Sequence, residues 1–300
     1  MTGEHLLREL RQALRDGGLC GSFLVRDLRS GDELGIEPDT ELPAASLVKV
    51  PLAVATLDRI RRGELDGAQQ LEVQPGRVTK PGPTGLTRFR HPARVALDDL
   101  VYLSTSLSDN AAANALFGLT PPGDVDAVLR ELGITGIAVR HALAGLAGTP
   151  DEHLPRDAAD LAHSLAISAG TSGHGHRLPQ LDVTRANSGT ARAFVDLLQA
   201  LWTPSAIHPD VAARVRSLMA DSVQRQRLAP DFSSDAAVWA SKTGTLLNLR
   251  HEVGVVEHAD GAVFAVAALT ESRIPAAAQP GAEALMAQVA RELRDHLRHG

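Results

Sequence analysis

Strand-like runs stand at the two ends of this chain, and helical periodicity fills most of what lies between them. Residues 20–27 and 33–36 suit two strands around the turn Ser30-Gly31-Asp32. Comparable runs return only at 236–243, 250–257 and 261–269. Leu6, Leu7, Leu10 and Leu14 mark one face of a helix over 4–16, and residues 281–297 close the chain as an amphipathic helix. Helical patterns over 47–61, 96–107, 110–118, 123–132, 190–202 and 210–227 occupy the middle. Such an order predicts an α+β fold. An antiparallel sheet is built from both chain ends and flanked by the terminal helices, and an all-α domain is inserted beside it. The expected division is 1–43 with 215–300 for the discontinuous α/β part and 44–214 for the helical part. Residues 66–95, rich in Pro and Gly, read as a loop-rich excursion. Residues 141–190 are the least regular, with helical pieces around 156–168 beside the loop Gly170-Thr171-Ser172-Gly173-His174-Gly175-His176.

Composition narrows the function classes. Hydrophobic residues at 44% and charged residues at 22% are globular values, which excludes a wholly disordered chain. A net charge of −6 argues against a nucleic-acid partner. No window holds 18 uncharged apolar residues, so no membrane partner is expected. Cys20 is the sole cysteine, which rules out an internal disulfide or a cysteine-based metal site. The first ten residues lack a basic head and an apolar stretch, so the expected location is cytoplasmic.

The basic residues are 27 Arg against three Lys, namely Lys49, Lys80 and Lys242. Arg keeps its proton, whereas burial and neighbours tune a Lys. Two of the three lysines lie in chemically suggestive company. Ser46-Leu47-Val48-Lys49 puts a hydroxyl and an amine on one face at a helix start. There the backbone dipole favours an alkoxide, and desolvation turns the amine into a base. A capping Ser followed by a surface Lys has the same spelling. Ser108-Asp109-Asn110 at a helix junction is either capping chemistry or a proton relay, with Asn110 as a polar contact for a substrate amide. Ser241-Lys242-Thr243-Gly244-Thr245 is either a solvated edge strand or an electrostatic anchor beside Ser108. In the second reading Gly244 permits close approach to the backbone.

Ser-x-x-Lys, then Ser-Asp-Asn, then Lys-Thr-Gly, in this order, resembles the signature of class A β-lactamases and the penicillin-binding-protein superfamily. The resemblance runs from about residue 20 to the final helix. It implies a β-lactamase/transpeptidase-like fold and a serine hydrolase that forms an acyl-enzyme at Ser46. Lys49 takes the Ser46 proton, and the backbone N–H groups of Ser46 and Thr245 form the oxyanion hole. Ser108, poised by Lys242, returns a proton to the leaving group. Asn110, Thr243, Gly244, Thr245 and Arg250 bind a carboxylate-bearing small molecule. Asn114 follows Asn110 by four residues, as in the family, where it helps hold a loop.

One element departs from the pattern. Rapidly hydrolysing members carry a Glu-x-x-x-Asn element whose Glu drives water onto the acyl-enzyme. Here Glu152 is followed four residues later by Arg156. Glu152, with Asp151, Asp157 and Asp160, is left as a candidate deacylation base. No metal or organic cofactor is expected, since His153, His163, His174 and His176 fall in a Gly/Ser-rich stretch more suited to surface. Phe89 is a candidate aromatic wall, and Tyr102 is read as helix core. Two alternatives stay open beside the hydrolase: an acyltransferase that passes the acyl group to an amine or alcohol, and a penicillin-acylated sensor with little turnover.

Overall fold

The computed structural model describes residues 2–74, 84–143, 161, 164–167, 176, 178–274 and 278–300. The first helix, α1 (Gly3–Asp16), buries Leu6, Leu10 and Leu14, the stripe expected from their spacing. Strands β1 (Leu19–Asp27) and β2 (Glu33–Ile36) form a hairpin. The helical middle follows with α2 (Lys49–Arg61), α3 (Leu97–Thr105), α4 (Asn110–Leu119), α5 (Pro122–Glu131), α6 (Ala191–Trp202) and α7 (Pro209–Ala220). The chain then returns through β3 (Ala237–Leu246), β4 (Leu249–His258) and β5 (Val263–Ser272) to the closing helix α8 (Pro280–His299).

These five strands form one antiparallel sheet in the order β2-β1-β5-β4-β3. The junction of the two ends of the chain is the β1–β5 pairing, from Leu19 opposite Ser272 to Asp27 opposite Phe264. Both faces are covered, so apolar residues line both sides of the central strands: on β1 the adjacent Phe23 and Leu24 are buried in different cores. Phe264, Val266 and Ala268 of β5 join Leu6, Leu10, Leu14 and Leu293 under the terminal helices. Ala265, Ala267 and Leu269 face the opposite way, into the core shared with α2, α4 and α6. The period of two along β5 thus divides the interior into two cores, at roughly 25 cal/mol for each Å² of apolar surface buried.

Three sequence expectations differ in detail. Helix α7 runs unbroken through 214–215, where the sequence reading divides the chain. The loop-rich excursion contains a short antiparallel pair, Gln70–Val73 with Ala93–Ala96. Tyr102 is 36% exposed, because α3 turns Leu97, Leu100, Val101, Ser104 and Thr105 inward and leaves position 102 on its outer side.

Candidate active site

Ser46 lies in a 3-10 turn, Ala45–Val48, three residues ahead of α2 rather than in the α-helix itself. The turn is fixed from several sides. Leu47 and Val48 are wholly buried, and the N–H of Ala44 donates to the carbonyl of Asn187 at 2.8 Å. Ala45 is held at φ 47°, a left-handed conformation that its Cβ disfavours by about 1–2 kcal/mol. Gly244 of β3 presses on the same turn. A Cβ there would stand 3.2 Å from the Ala44 carbonyl oxygen and 3.2 Å from Leu47 Cγ. The Lys-Thr-Gly glycine therefore lets the edge strand close on the residues that carry Ser46.

Ser108 sits between α3 and α4, also left-handed at φ 58°. Asp109 explains how that backbone is held. Its Oδ1 caps α4 by accepting from the N–H groups of Ala111 at 2.8 Å and Ala112 at 3.3 Å. Its Oδ2 accepts from the N–H of Leu86. Gly85, at φ 83°, lies so close that a Cβ would be 2.2 Å from Asp109 Oδ2. Thr84 adds a bond from its hydroxyl to the Leu107 carbonyl at 3.0 Å. Residues 84–86 thus buttress the junction that presents Ser108.

Four of the motif side chains converge here: Lys49, Ser108, Asn110 and Lys242. Lys49 is fully buried. Its Nζ lies 2.6 Å from the Ser108 carbonyl oxygen, 2.7 Å from Asn110 Oδ1 and 3.2 Å from Ser108 Oγ. Lys242, also buried, donates to Ser108 Oγ at 2.9 Å and to the Thr243 carbonyl at 2.8 Å. One hydroxyl therefore bridges two amines that are 193 residues apart in the chain. Burial pushes Lys49 well below the usual lysine range, and the Lys242 charge adds to this against a smaller pull from Asp109. Burial likewise lowers Lys242 to about 7, helped by Arg227 and opposed by Glu252.

A further cation at this end of the sheet is Arg227, which the sequence reading does not single out. It is 2% exposed and held by Glu283 at 2.9 Å. It donates to the carbonyls of Gly244 and His251, each at 2.8 Å, and to the Thr245 hydroxyl at 2.6 Å. Arg250, expected to grip a substrate carboxylate, is buried and donates to the carbonyls of Leu247 at 2.6 Å and Leu249 at 2.8 Å. Two further residues beside the strand were not foreseen. Gln224 Oε1 accepts the Thr243 hydroxyl proton at 2.6 Å. His251 is wholly buried, its Nδ1 accepting from the Thr270 N–H at 3.1 Å and its Nε2 lying 3.0 Å from the Pro43 carbonyl. This fixes the neutral tautomer with the proton on Nε2, and burial pushes the imidazole down to about 4.

Asn114 lies one turn beyond Asn110 on α4. Phe89 is exposed. Glu152, Asp151, Asp157 and Asp160 lie outside the described residues, as do His153, His163 and His174. His176 is buried and accepts from the Leu178 N–H at 2.9 Å. Among the described residues no group of three His, Cys, Asp or Glu is arranged to hold a metal ion. Among the same residues no helix is long and apolar enough to cross a membrane.

A terminal-strand sheet, an inserted helical core and a cleft holding Ser-x-x-Lys, Ser-Asp-Asn and Lys-Thr-Gly define a β-lactamase/transpeptidase-like protein. The chain belongs to the β-lactamase enzyme family, whose family model matches residues 6–297. It is 68% identical over 309 residues to the β-lactamase regulatory protein BlaB of Streptomyces cacaoi, covering 99% of each chain. Among solved structures it resembles a β-lactamase from Sphaerobacter thermophilus, with TM-score 0.74 at 21% identity over 97% of both chains. It also resembles PBP-A, with TM-score 0.75 at 18% identity over 98% of this chain and 96% of that one. At such identities these two likenesses concern the fold.

Proposed function

We propose that the chain is acylated at Ser46 by a carboxylate-bearing β-lactam or a related amide or ester, and that it acts as a regulator through a long-lived acyl-enzyme. The observation that carries the reading is the Ser108 hydroxyl, 2.9 Å from Lys242 Nζ and 3.2 Å from Lys49 Nζ. A neutral amine has two protons and one lone pair. At Lys49 the Ser108 carbonyl and Asn110 Oδ1, at 2.6 and 2.7 Å, take the two protons, the Ser108 hydroxyl at 3.2 Å shares one of them, and the lone pair is left for the Ser46 proton. The depressed lysine basicity supports this neutral form.

In the proposed reaction Ser46 Oγ bonds to the carbonyl carbon while its proton passes to Lys49. The oxyanion rests on the N–H groups of Ser46 and Thr245. The carbon–nitrogen bond breaks as Ser108 gives its proton to the leaving nitrogen and regains one from Lys49, which returns to the neutral form. Asn110 orients the acyl side chain. Thr243, Gly244 and Thr245 line the carboxylate end, with Arg227 behind Thr245 in the part expected of Arg250.

The regulatory part rests on two supports. One is the 68% identity to a protein named a β-lactamase regulatory protein. The other is the sequence departure at Glu152, which leaves the usual Glu-x-x-x-Asn element unmatched. A PBP-A variant of the same fold is described as an acyl-enzyme complex with penicillin G, which supports acylation on this architecture. The family match favours a second reading, a serine hydrolase with ordinary turnover. Nitrocefin turnover with intact-protein mass spectrometry tests both. The regulator reading expects a stoichiometric adduct on Ser46 that persists. Fast turnover without accumulation overturns it in favour of the hydrolase, and neither adduct nor turnover overturns acylation by β-lactams altogether.

A further inference from the structure

We infer that Gln224 is a specificity-determining positioning residue: it takes the Thr243 proton and passes recognition of a substrate carboxylate to Thr245. The inference rests on the site reading above but needs no covalent step. A threonine hydroxyl has one proton, and in Thr243 that proton points at Gln224 Oε1 over 2.6 Å. Thr243 is 1% exposed, so the half-buried glutamine also covers the hydroxyl it binds. That leaves Thr243 Oγ1 only lone pairs for a further partner, and lone pairs repel a carboxylate.

Thr245 has the opposite polarity. Its Oγ1 accepts from Arg227 Nη2 at 2.6 Å, so its own proton is free to donate, and the residue is exposed. A guanidinium behind a donating hydroxyl is an anion-binding arrangement. The segment that carries Gln224 is tied to the reacting centre. It leaves the end of α7, and the neighbouring Val223 N–H donates to the Ser106 carbonyl at 3.1 Å, two residues before Ser108. The 223–224 segment thereby bonds both the chain just ahead of Ser108 and the Lys-Thr-Gly strand.

The test is calorimetric binding of benzylpenicillin and its methyl ester to the Ser46→Ala protein, in which no acylation occurs. Gln224→Ala frees the Thr243 proton and uncovers the hydroxyl. The affinity ratio of acid over ester should rise roughly tenfold, the worth of one charge-assisted hydrogen bond. The rise should vanish when Thr243→Val is added, since the two residues act as one unit. Gln224→Glu, which keeps an acceptor and adds a negative charge, should lower the ratio. A ratio unmoved by Gln224→Ala, a rise that survives Thr243→Val, or binding of neither ligand overturns the inference. A wild-type protein that fails to label with β-lactams, beside a ratio that moves as stated, counts against the acyl-enzyme reading alone.

Discussion

Ser108 Oγ and Lys242 Nζ lie 2.9 Å apart, and the same oxygen faces Lys49 at 3.2 Å, so the two buried amines share one hydroxyl. Two ammonium ions cannot both be stable so close together in a dry cleft. They titrate as a coupled unit whose apparent constants belong to the pair. The proposed acylation needs Lys49 neutral and Lys242 charged. Its rate should rise with pH as Lys49 loses its proton, then fall as Lys242, lowered to about 7, loses its own. The second-order rate of Ser46 labelling against pH should be bell-shaped, with an alkaline limb near neutrality. A rate that climbs monotonically to pH 9 would show that the Lys242 charge is dispensable.

Lys49→Arg separates charge from basicity. Guanidinium keeps the positive charge but does not give up its proton, and its planar fork does not fit the three acceptors around Lys49 Nζ. Labelling by β-lactams should fall by about 10³-fold or more, in the upper range of a lost acid–base group. Ser46→Ala should lose the adduct entirely with an unchanged melting temperature. Retained labelling in the Arg variant would reduce Lys49 to an electrostatic role.

The candidate site was legible because its residues are written in short runs. Ser46 with Lys49, and Lys242 with Thr243 and Gly244, each fall within one turn or one strand, so spacing alone marks them as neighbours along the chain. The two-ended sheet was legible for a similar reason, since β1, β4 and β5 each carry an apolar stretch, Phe23-Leu24-Val25, Val253-Gly254-Val255-Val256 and Phe264-Ala265-Val266-Ala267-Ala268-Leu269. Arg227 was not legible, because nothing local distinguishes it from 26 other arginines and its partners Thr245, His251 and Glu283 come from distant elements. Gln224 and His251 were hidden in the same way, through Thr243, Pro43 and Thr270. The short pair Gln70–Val73 with Ala93–Ala96 has four residues a side and is separated by a Pro/Gly-rich loop. It is therefore too brief for a periodic signal. Tyr102 was readable: the inward positions of α3 already put residue 102 outside.

Gly85 offers a test of the buttress behind Ser108. Alanine there places a Cβ 2.2 Å from Asp109 Oδ2 at a backbone φ of 83°, so the carboxylate or the loop has to move. Gly85→Ala should destabilise the fold by about 1–3 kcal/mol. It should also slow acylation more than the stability loss explains, because Asp109 caps the helix that begins with Asn110. Denaturant unfolding and labelling rates, measured on the same preparation, check both parts. Unchanged labelling in a destabilised variant would mean that the loop supports the fold without positioning Ser108.

His251 makes the protein acid-sensitive in a definable window. Its imidazole is lowered from 6.5 to about 4 in the folded state, first by burial, with a smaller contribution from Arg227. Between these values the unfolded chain binds a proton that the folded one refuses, so stability falls as pH falls. The contribution is present in full above about 6.5 and is lost by about 4, and a shift of that size converts to about 3 kcal/mol. The ring joins Pro43, just ahead of the Ser46 turn, to Thr270 in the middle of the sheet; protonation at Nδ1 sets two donors against each other at Thr270 and leaves the Nε2–Pro43 bond in place. His251→Asn removes the titrating group and the bond to Pro43. The variant should be less stable than wild type at pH 7.5, and the gap should narrow steadily toward pH 4.5 in urea titrations. Carboxylates that weaken in acid do so in both proteins, so the narrowing isolates His251. Two stability curves that run parallel across that interval would remove His251 as the origin of the acid response.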